Sequence, residues 1–369
     1  MRTLTIDLDA IVHNYKTMLA RTSAAVLPVI KANAYGHGMV EVAKALEAAG
    51  CGGFAVADVA EGLVLREAGV KAAVLAWLHD PEDDFVAAVA NDIDLGIANV
   101  SQLAKALAAA EASGETAHVH LKIDTGLGRN GSTIDEWPAL LEATKNAVET
   151  GKVSVIGIFS HLSSTGEAED LRQVELFKAA LAVAEGMGID YEFAHLTASD
   201  GSLAYPSAHF GMIRVGIAIY GLDPFSSNRA AEYGLRPAMT ASAKVSQLKR
   251  VPAGTGVSYG YQHVTERETT LALVPIGYAE GLPRNASGKA HVSINGKSYP
   301  ILSRIAMDQF VLDIGEDNVQ VGDDVVLFGD PAKGHPSVDD LADAAGTINY
   351  EIVTRMGGRF KRVYVGGGK

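Results

Sequence analysis

Cysteine is almost missing from this chain of 369 residues, where Cys51 stands alone. A single thiol excludes an intrachain disulfide, a cysteine-based zinc cluster and any acid–base chemistry that needs two thiols. Long apolar runs are missing as well. No stretch reaches the ~18 residues of a membrane span. Asp7, Asp9, His13 and Lys16 interrupt what would be the apolar core of a secretory leader, so the expected location is cytoplasmic. Positive charge is scarce: 31 Lys and Arg against 44 Asp and Glu leave a formal charge of −13. That balance argues against nucleic acid or an anionic membrane as the main partner. The one basic run, RFKRVY at 359–364, reads as a short solvated strand edge. There is no GxGxxG loop and no Walker-type phosphate loop. The eleven histidines show no HExxH pairing, so the sequence names no metal.

What is present has the make-up of a globular enzyme. Hydrophobic residues are 48% and charged residues 20% of the chain, and the length suggests roughly two domains. From about residue 24 to 222, short apolar runs alternate with helical patterns. The runs are AAVLPVIK, GGFAVAD, AAVLAWL, DLGIAN, HVHLKID, VIGIFSHL, YEFAHLTA and MIRVGIAIYG, eight in all. Segments such as MVEVAKALEAAG (39–50) and SQLAKALAAAEASG (101–114) lie between them, apolar at helical spacing and ending on glycine. Eight β–α alternations over this length predict an α/β fold with a (β/α)8 TIM-like barrel at the N-terminus. A doubly wound open sheet is the alternative, but its phosphate loop after the first strand is absent. From about 236 the pattern turns strand-like, with an Asn-Gly hairpin signal in SINGKS. A second, mainly β domain is therefore expected over 236–369, following a barrel over 1–235 whose first few residues pack with it. SVDDLADAAG (337–346), capped by Ser337, is the one helical pattern there.

The stretch VIKANAYGHG (29–38) poses the chemical question. Lys31 follows two buried-type residues, and burying an ammonium costs several kcal/mol unless it is paired or gives up its proton. In a barrel, side chains at the C-terminal strand ends face the active site. Lys31, Lys122, His161, His195 and Arg214 all fall at such ends, and Arg129 and Asn130 lie in the loop after Lys122. This set is cationic, with no obvious acid to balance it. A cationic, desolvated mouth suits an anionic ligand and pushes a lysine toward the free amine that imine chemistry needs. Each residue also has a plainer reading. Lys31 fits a snorkelling surface lysine, His195 a core histidine satisfied by backbone, Arg214 a structural ion-pair partner, and Lys122–Asp124 a salt bridge. Gly216 and Ile217 follow the last strand, where backbone N–H groups commonly meet phosphate, and Ser199 sits at an N-cap position after the seventh. A capping serine and a tight-packing glycine explain the same residues without a ligand.

VIKANAYGHG, GLGRNG, IRVGIAIYGL, VSYG, RIAMDQ and TINYEIVTR, spread from residue 29 to 355, together resemble the bacterial alanine racemase family over essentially the whole chain. The resemblance implies pyridoxal 5'-phosphate as cofactor, alanine as substrate, D-alanine for cell-wall precursors as product, and a head-to-tail homodimer. It implies that Lys31 carries the cofactor as an imine and serves as base on the D-face. Tyr259, from the C-terminal domain and supplied across the dimer interface, is the implied base on the L-face. A free phenol has a pKa near 10, so the resemblance places Arg214 and His161 as the cations that lower it. By the same resemblance Tyr35, Ser199, Gly216, Ile217 and Tyr350 hold the phosphate. Arg214 faces the pyridine nitrogen and His161 stacks on the ring. Arg129 and the Met307 backbone take the substrate carboxylate, and Lys122 is carbamylated to position the arginine. Tyr278 and Tyr350 line a narrow entrance and pocket, and Asp308 supports the Met307 segment. Three positions depart from the family pattern. Ala198 replaces an asparagine that bonds the cofactor, while Ala306 replaces a cysteine and Glu280 an aspartate, both expected to alter the entrance.

Related activities compete. A basic-amino-acid decarboxylase of this fold type uses a C-terminal cysteine, and none follows Cys51. A non-catalytic cofactor carrier on the same barrel lacks the second domain, and a barrel aldolase places its lysine on a later strand. A serine racemase or one of broad specificity differs only in pocket width.

Overall fold

The computed structural model describes residues 2–367. They form two compact units. One comprises Tyr15–Ala34 and Val42–Gly216; the other comprises the segments up to Asn14, Tyr35–Glu41, and from Ile217 onward.

The first unit is built on eight parallel strands: Ala25–Pro28, Gly53–Val56, Ala73–Ala76, Ile93–Ile97, Ala117–Lys122, Val153–Phe159, Phe193–His195 and Met212–Val215. Five fall within one of the eight apolar runs, and Ile93–Ile97, Ala117–Lys122 and Val153–Phe159 begin one or two residues before theirs. Their buried residues run nearly without interruption, as strands covered on both faces require. The first strand pairs with the last in parallel register, and a bridge between Val29 and Ala55 brings the other edge round, with Ile30 N donating to Ala55 O at 2.8 Å. The result is a nearly closed barrel. The expected helix near 101–114 runs over Val100–Ser113. Asn99 caps its start and Gly114, at φ 80°, ends it in the left-handed region.

The second unit is mainly β. Its six-stranded sheet runs Lys297–Pro300, His291–Ile294, Asp324–Phe328, Met239–Lys244, Thr3–Asp7, Lys361–Val365. Thr3–Asp7 thus lies inside this sheet, and the basic run lies on its edge strand as expected. The Asn-Gly hairpin joins the first two strands, with Asn295 at φ 51° and Gly296 at φ 77°. Residues 217–235 belong to this unit upstream of the change in sequence pattern. The buried Asn14 amide donates to Ile219 O and Arg236 O, and its oxygen accepts from Arg236 N. Ser337 caps Val338–Ala345 through a capping box. A second helix, Asn349–Arg355, was not expected. Its sequence is too short and too β-branched to announce itself. Asn349 fixes its start by donating to Asp223 O at 2.7 Å and Asp339 Oδ1 at 2.8 Å. Among the described residues, no helix is long and apolar enough to cross a membrane.

Candidate active site

The strand Ala25–Pro28 ends short of Lys31, and the chain then makes a turn of unusual hand. Ala32, Asn33, Ala34 and Tyr35 all have φ between 51° and 54°. For residues with a Cβ this conformation costs about 1–2 kcal/mol each, and such strain gathers at functional sites. Ala34 N donates to Ile30 O at 2.8 Å. Ala32 N donates to Glu61 Oε1 at 2.6 Å, and the other Glu61 oxygen takes Ala57 N at 2.8 Å. Glu61 therefore ties the lysine turn to the end of the neighbouring strand. It is also an acid in the mouth that the sequence did not reveal.

Around Lys31 the barrel end is electropositive. Burial lowers the Lys31 amine first, and Arg129 and Arg214 lower it further against an opposing pull from Glu61. Burial, Arg214 and Arg129 bring Lys122 down to about 8. Burial leads in holding His161 well below its ordinary value, followed by Arg214. Arg214 itself is pushed down to about 9 by burial, with Asp200 working against the shift. These are the two lysines, two arginines and His161 expected to meet. Half-buried among these groups, Lys31 is shifted toward the free amine.

Arg214 is not a structural ion-pair partner. Its Nη1 donates to His195 Nδ1 at 2.9 Å, and Nη2 serves Ser160 O at 2.7 Å, Leu196 O at 2.9 Å and His161 Nδ1 at 3.1 Å. These bonds fix the guanidinium plane and leave Nε–H unspent. His195 is buried, as the plainer reading had it, but side chains satisfy it rather than backbone: Arg214 on one nitrogen, His120 on the other. Phe159 is the apolar hub. His195 stacks on it at 4.8 Å, Arg214 Cζ lies 5.5 Å and Lys122 Nζ 5.3 Å from its centroid. His120, Phe159 and Glu61 had no motif to mark them, because what matters is which strand faces them.

Two further expectations need correction. Asp124 does not close a salt bridge on Lys122. Its Oδ1 accepts from Gly126 N at 2.9 Å and Gly128 N at 3.2 Å, bracing the loop that presents the exposed Arg129. Ser199 is not the N-cap of Ser199–Ala204. Ala198 occupies that position without a side-chain cap, and Ser199 Oγ instead accepts from Gly216 N at 3.0 Å. Hydroxyl and glycine N–H are thereby brought together, the donor chemistry a phosphate group needs.

In the second unit, Tyr35 packs on Tyr220 at 4.9 Å and faces Tyr350 at 6.2 Å between ring centroids. Burial raises the Tyr35 phenol. Ile217 opens a buried 3-10 turn that ends at Tyr220. Tyr259 lies on another 3-10 turn, Tyr259–Tyr261, held where Ser258 Oγ donates to Arg304 O at 2.9 Å. It is 70% exposed, and Tyr261 is 68% exposed. Tyr278 N donates to Ala306 O and Ala279 N to Met307 O, so the Tyr278 turn and the Met307 segment are locked together. Gly277 makes this possible, since a Cβ there would stand 2.2 Å from Ala306 O. Glu280 does not shape an entrance. It is fully buried, accepts from Gly277 N at 2.9 Å and pairs with Arg359, which also holds Asp308 at 2.6 Å. Its carboxylate thus reaches Gly277 N, Arg359 and, at 3.6 Å, Arg2.

Residues 6–224 match the family model for the alanine racemase N-terminal domain, and residues 238–364 match the model for its C-terminal domain. The chain belongs to the alanine racemase family. The alanine racemase of Frankia casuarinae is 45% identical over 365 residues, 98% of this chain and 95% of its own length. The crystal structure of alanine racemase from D-cycloserine-producing Streptomyces lavendulae superposes with a TM-score of 0.97 at 45% identity, covering 99% of this chain and 97% of that one. That of the Bacillus anthracis enzyme with bound L-Ala-P gives 0.90 at 32% identity, covering 100% and 96%. Alanine racemases depend on pyridoxal phosphate, and this enzyme's activity is that of the family.

Proposed function

We propose that this racemase interconverts L- and D-alanine by a two-base route, with Lys31 holding pyridoxal 5'-phosphate and Tyr259 of a second copy completing the site. The observation that carries the reading is the Lys31 amine, strained into place on a left-handed turn, with burial and two arginines lowering its pKa toward the free amine. The donor set fits the cofactor: an amine for its aldehyde, a hydroxyl and backbone N–H groups for its phosphate, a guanidinium for its ring nitrogen. When bound, the cofactor draws electron density away from the α-carbon of an amino acid joined to it.

Lys31 Nζ takes or returns the α-proton on the D-face, and the Tyr259 hydroxyl does so on the L-face. Tyr35, Ser199, Gly216, Ile217 and Tyr350 hold the phosphate. Arg214 presents Nε–H to the ring nitrogen. A guanidinium does not readily give up its proton, so the ring stays unprotonated and a weaker electron sink. His161 covers the ring. Arg129 and the Met307 N–H take the substrate carboxylate, while Tyr278 and Tyr350 limit the side chain to methyl size and Asp308 steadies the Met307 segment through Arg359. Ala198 leaves out one cofactor hydrogen bond that relatives make. The homodimer is supported by exposure. A proton-transfer phenol needs shelter from water, yet Tyr259, Tyr261 and Met307 are 70%, 68% and 54% exposed in the single chain.

Incubation with pyridoxal phosphate and L-alanine, L-serine or L-lysine in heavy water tests the reading. Deuterated, racemised alanine with little change in the others is expected. An amine product would make the chain a decarboxylase instead, and silence with every substrate would make it a carrier.

Lys122 is proposed to carry a carbamate that positions Arg129. The neutral amine adds to carbon dioxide, forming an N–C bond and releasing one proton. With Lys122 at about 8, the neutral amine grows as pH rises through 8 and is only about a tenth of the total at pH 7. Stripping bicarbonate is expected to cost activity several-fold, more at pH 7 than at pH 9, and 13C-bicarbonate to restore it with a carbamate carbon resonance. Full activity without that resonance would leave Lys122 as a plain amine.

A further inference from the structure

Arg214 is buried, yet none of its four hydrogen bonds ends on a carboxylate. A guanidinium only donates, so His195 Nδ1 must offer it a lone pair. The His195 proton then sits on Nε2, which faces His120 Nδ1 at 2.9 Å. That nitrogen must be bare in turn, leaving the His120 proton on Nε2, 3.4 Å from Asp94 Oδ2. The other Asp94 oxygen lies 3.6 Å from His118 Nδ1. One ordering of protons satisfies every link, and it runs from Arg214 through two neutral imidazoles to a carboxylate. Burial alone would raise the Asp94 carboxyl, but hydrogen bonds from His118 and His120 hold it at about 2.

The barrel wall is built around this line. The register between Ala117–Lys122 and Val153–Phe159 shifts between Val119 and His120, an irregularity of the kind that re-aims a side chain. Across the pair, a Cβ on Gly157 would stand 2.4 Å from His120 Nδ1. Glycine weakens a strand interior, so the wall gives up regularity just where the ring passes. Phe159 lies against the His195 face with 2° between planes, which holds that ring in the orientation both of its bonds require.

We propose that His120 and Asp94 are positioning residues for racemisation, setting the proton order that keeps His195 Nδ1 bare and so holds the Arg214 guanidinium in one plane. With the proton on Nδ1 instead, N–H would face N–H and the guanidinium would swing away. The proposal rests on the reading of Arg214 as the group that meets the cofactor's ring nitrogen.

Histidine ring-15N NMR on unloaded and cofactor-loaded enzyme, with kcat and KM for alanine, tests it in the wild type, Asp94→Leu and Asp94→Asn. The wild type is expected to show bare Nδ1 and protonated Nε2 on both His120 and His195, with or without cofactor. Asp94→Leu should scramble that pattern and lower kcat about 10- to 100-fold, the range for partners that orient functional histidines, with KM little changed. Asp94→Asn keeps an acceptor oxygen and should retain the pattern and most of the rate. A protonated His195 Nδ1 in the wild type overturns the proposal whether or not a variant folds. So does Asp94→Leu with unchanged ring nitrogens or unchanged kcat. Failure of the underlying cofactor reading looks different: the wild type would develop no visible absorption with pyridoxal phosphate, while the pattern in unloaded protein would be unaffected.

Discussion

Lys31→Ala is expected to abolish the visible absorption that wild-type enzyme develops with pyridoxal phosphate and to lower alanine racemisation roughly 10^4-fold, the upper end for a positioned proton-transfer group. The structure spends much to present this one amine. Four successive residues with side chains are held in the left-handed region, and the Glu61 carboxylate ties that turn to the next strand. Burial, Arg129 and Arg214 all favour the neutral amine over the ammonium. Lys31→Arg separates chemistry from charge. It keeps a cation at the barrel mouth, and so most of the attraction for an anionic ligand, but a guanidinium cannot be deprotonated in a protein. It should therefore bind pyridoxal phosphate measurably and remain as inactive as Lys31→Ala. Activity retained in either variant would assign the amine elsewhere, and Lys122 would be the first alternative.

Much of the fold was legible because its signals are local. Eight apolar runs separated by helical patterns give eight strands, and Asn295-Gly296 gives its hairpin. Strand-end position was enough to gather Lys31, Lys122, His161 and Arg214, since a parallel barrel delivers those ends to one rim. What stayed hidden depends on neighbours across the sheet. His120 reads as one more residue of HVHLKID, and only the paired strand, with Gly157 opposite, reveals that its ring reaches His195. Glu61 lies on a helix with no motif around it and becomes visible only through the backbone N–H groups it receives. Ser199 fits a cap by local pattern, but the last strand brings Gly216 N to its hydroxyl. Glu280 reads as an altered entrance residue until Arg359, 79 positions away, is seen to pair with it. The helix Asn349–Arg355 depends on Asn349 finding Asp223 O, 126 positions away, as well as Asp339.

Tyr259→Phe is expected to separate the two faces of the reaction. The substitution removes one oxygen and keeps the ring, and the turn that carries it is held without that oxygen: Ser258 Oγ donates to Arg304 O and Gly260 takes φ 76°. Fold and cofactor absorption should both survive. With L-alanine in heavy water, α-hydrogen exchange should fall by about 10^2–10^4-fold, the contribution of a positioned general base. With D-alanine, exchange should continue, because Lys31 still reaches that face, but the label should return on the same face without racemisation. That asymmetry is the diagnostic, since a loosened site would slow both hands alike. Exchange from L-alanine at the wild-type rate would place the second base on another residue. Loss of the visible absorption would mean that Tyr259 builds the site rather than moving the proton.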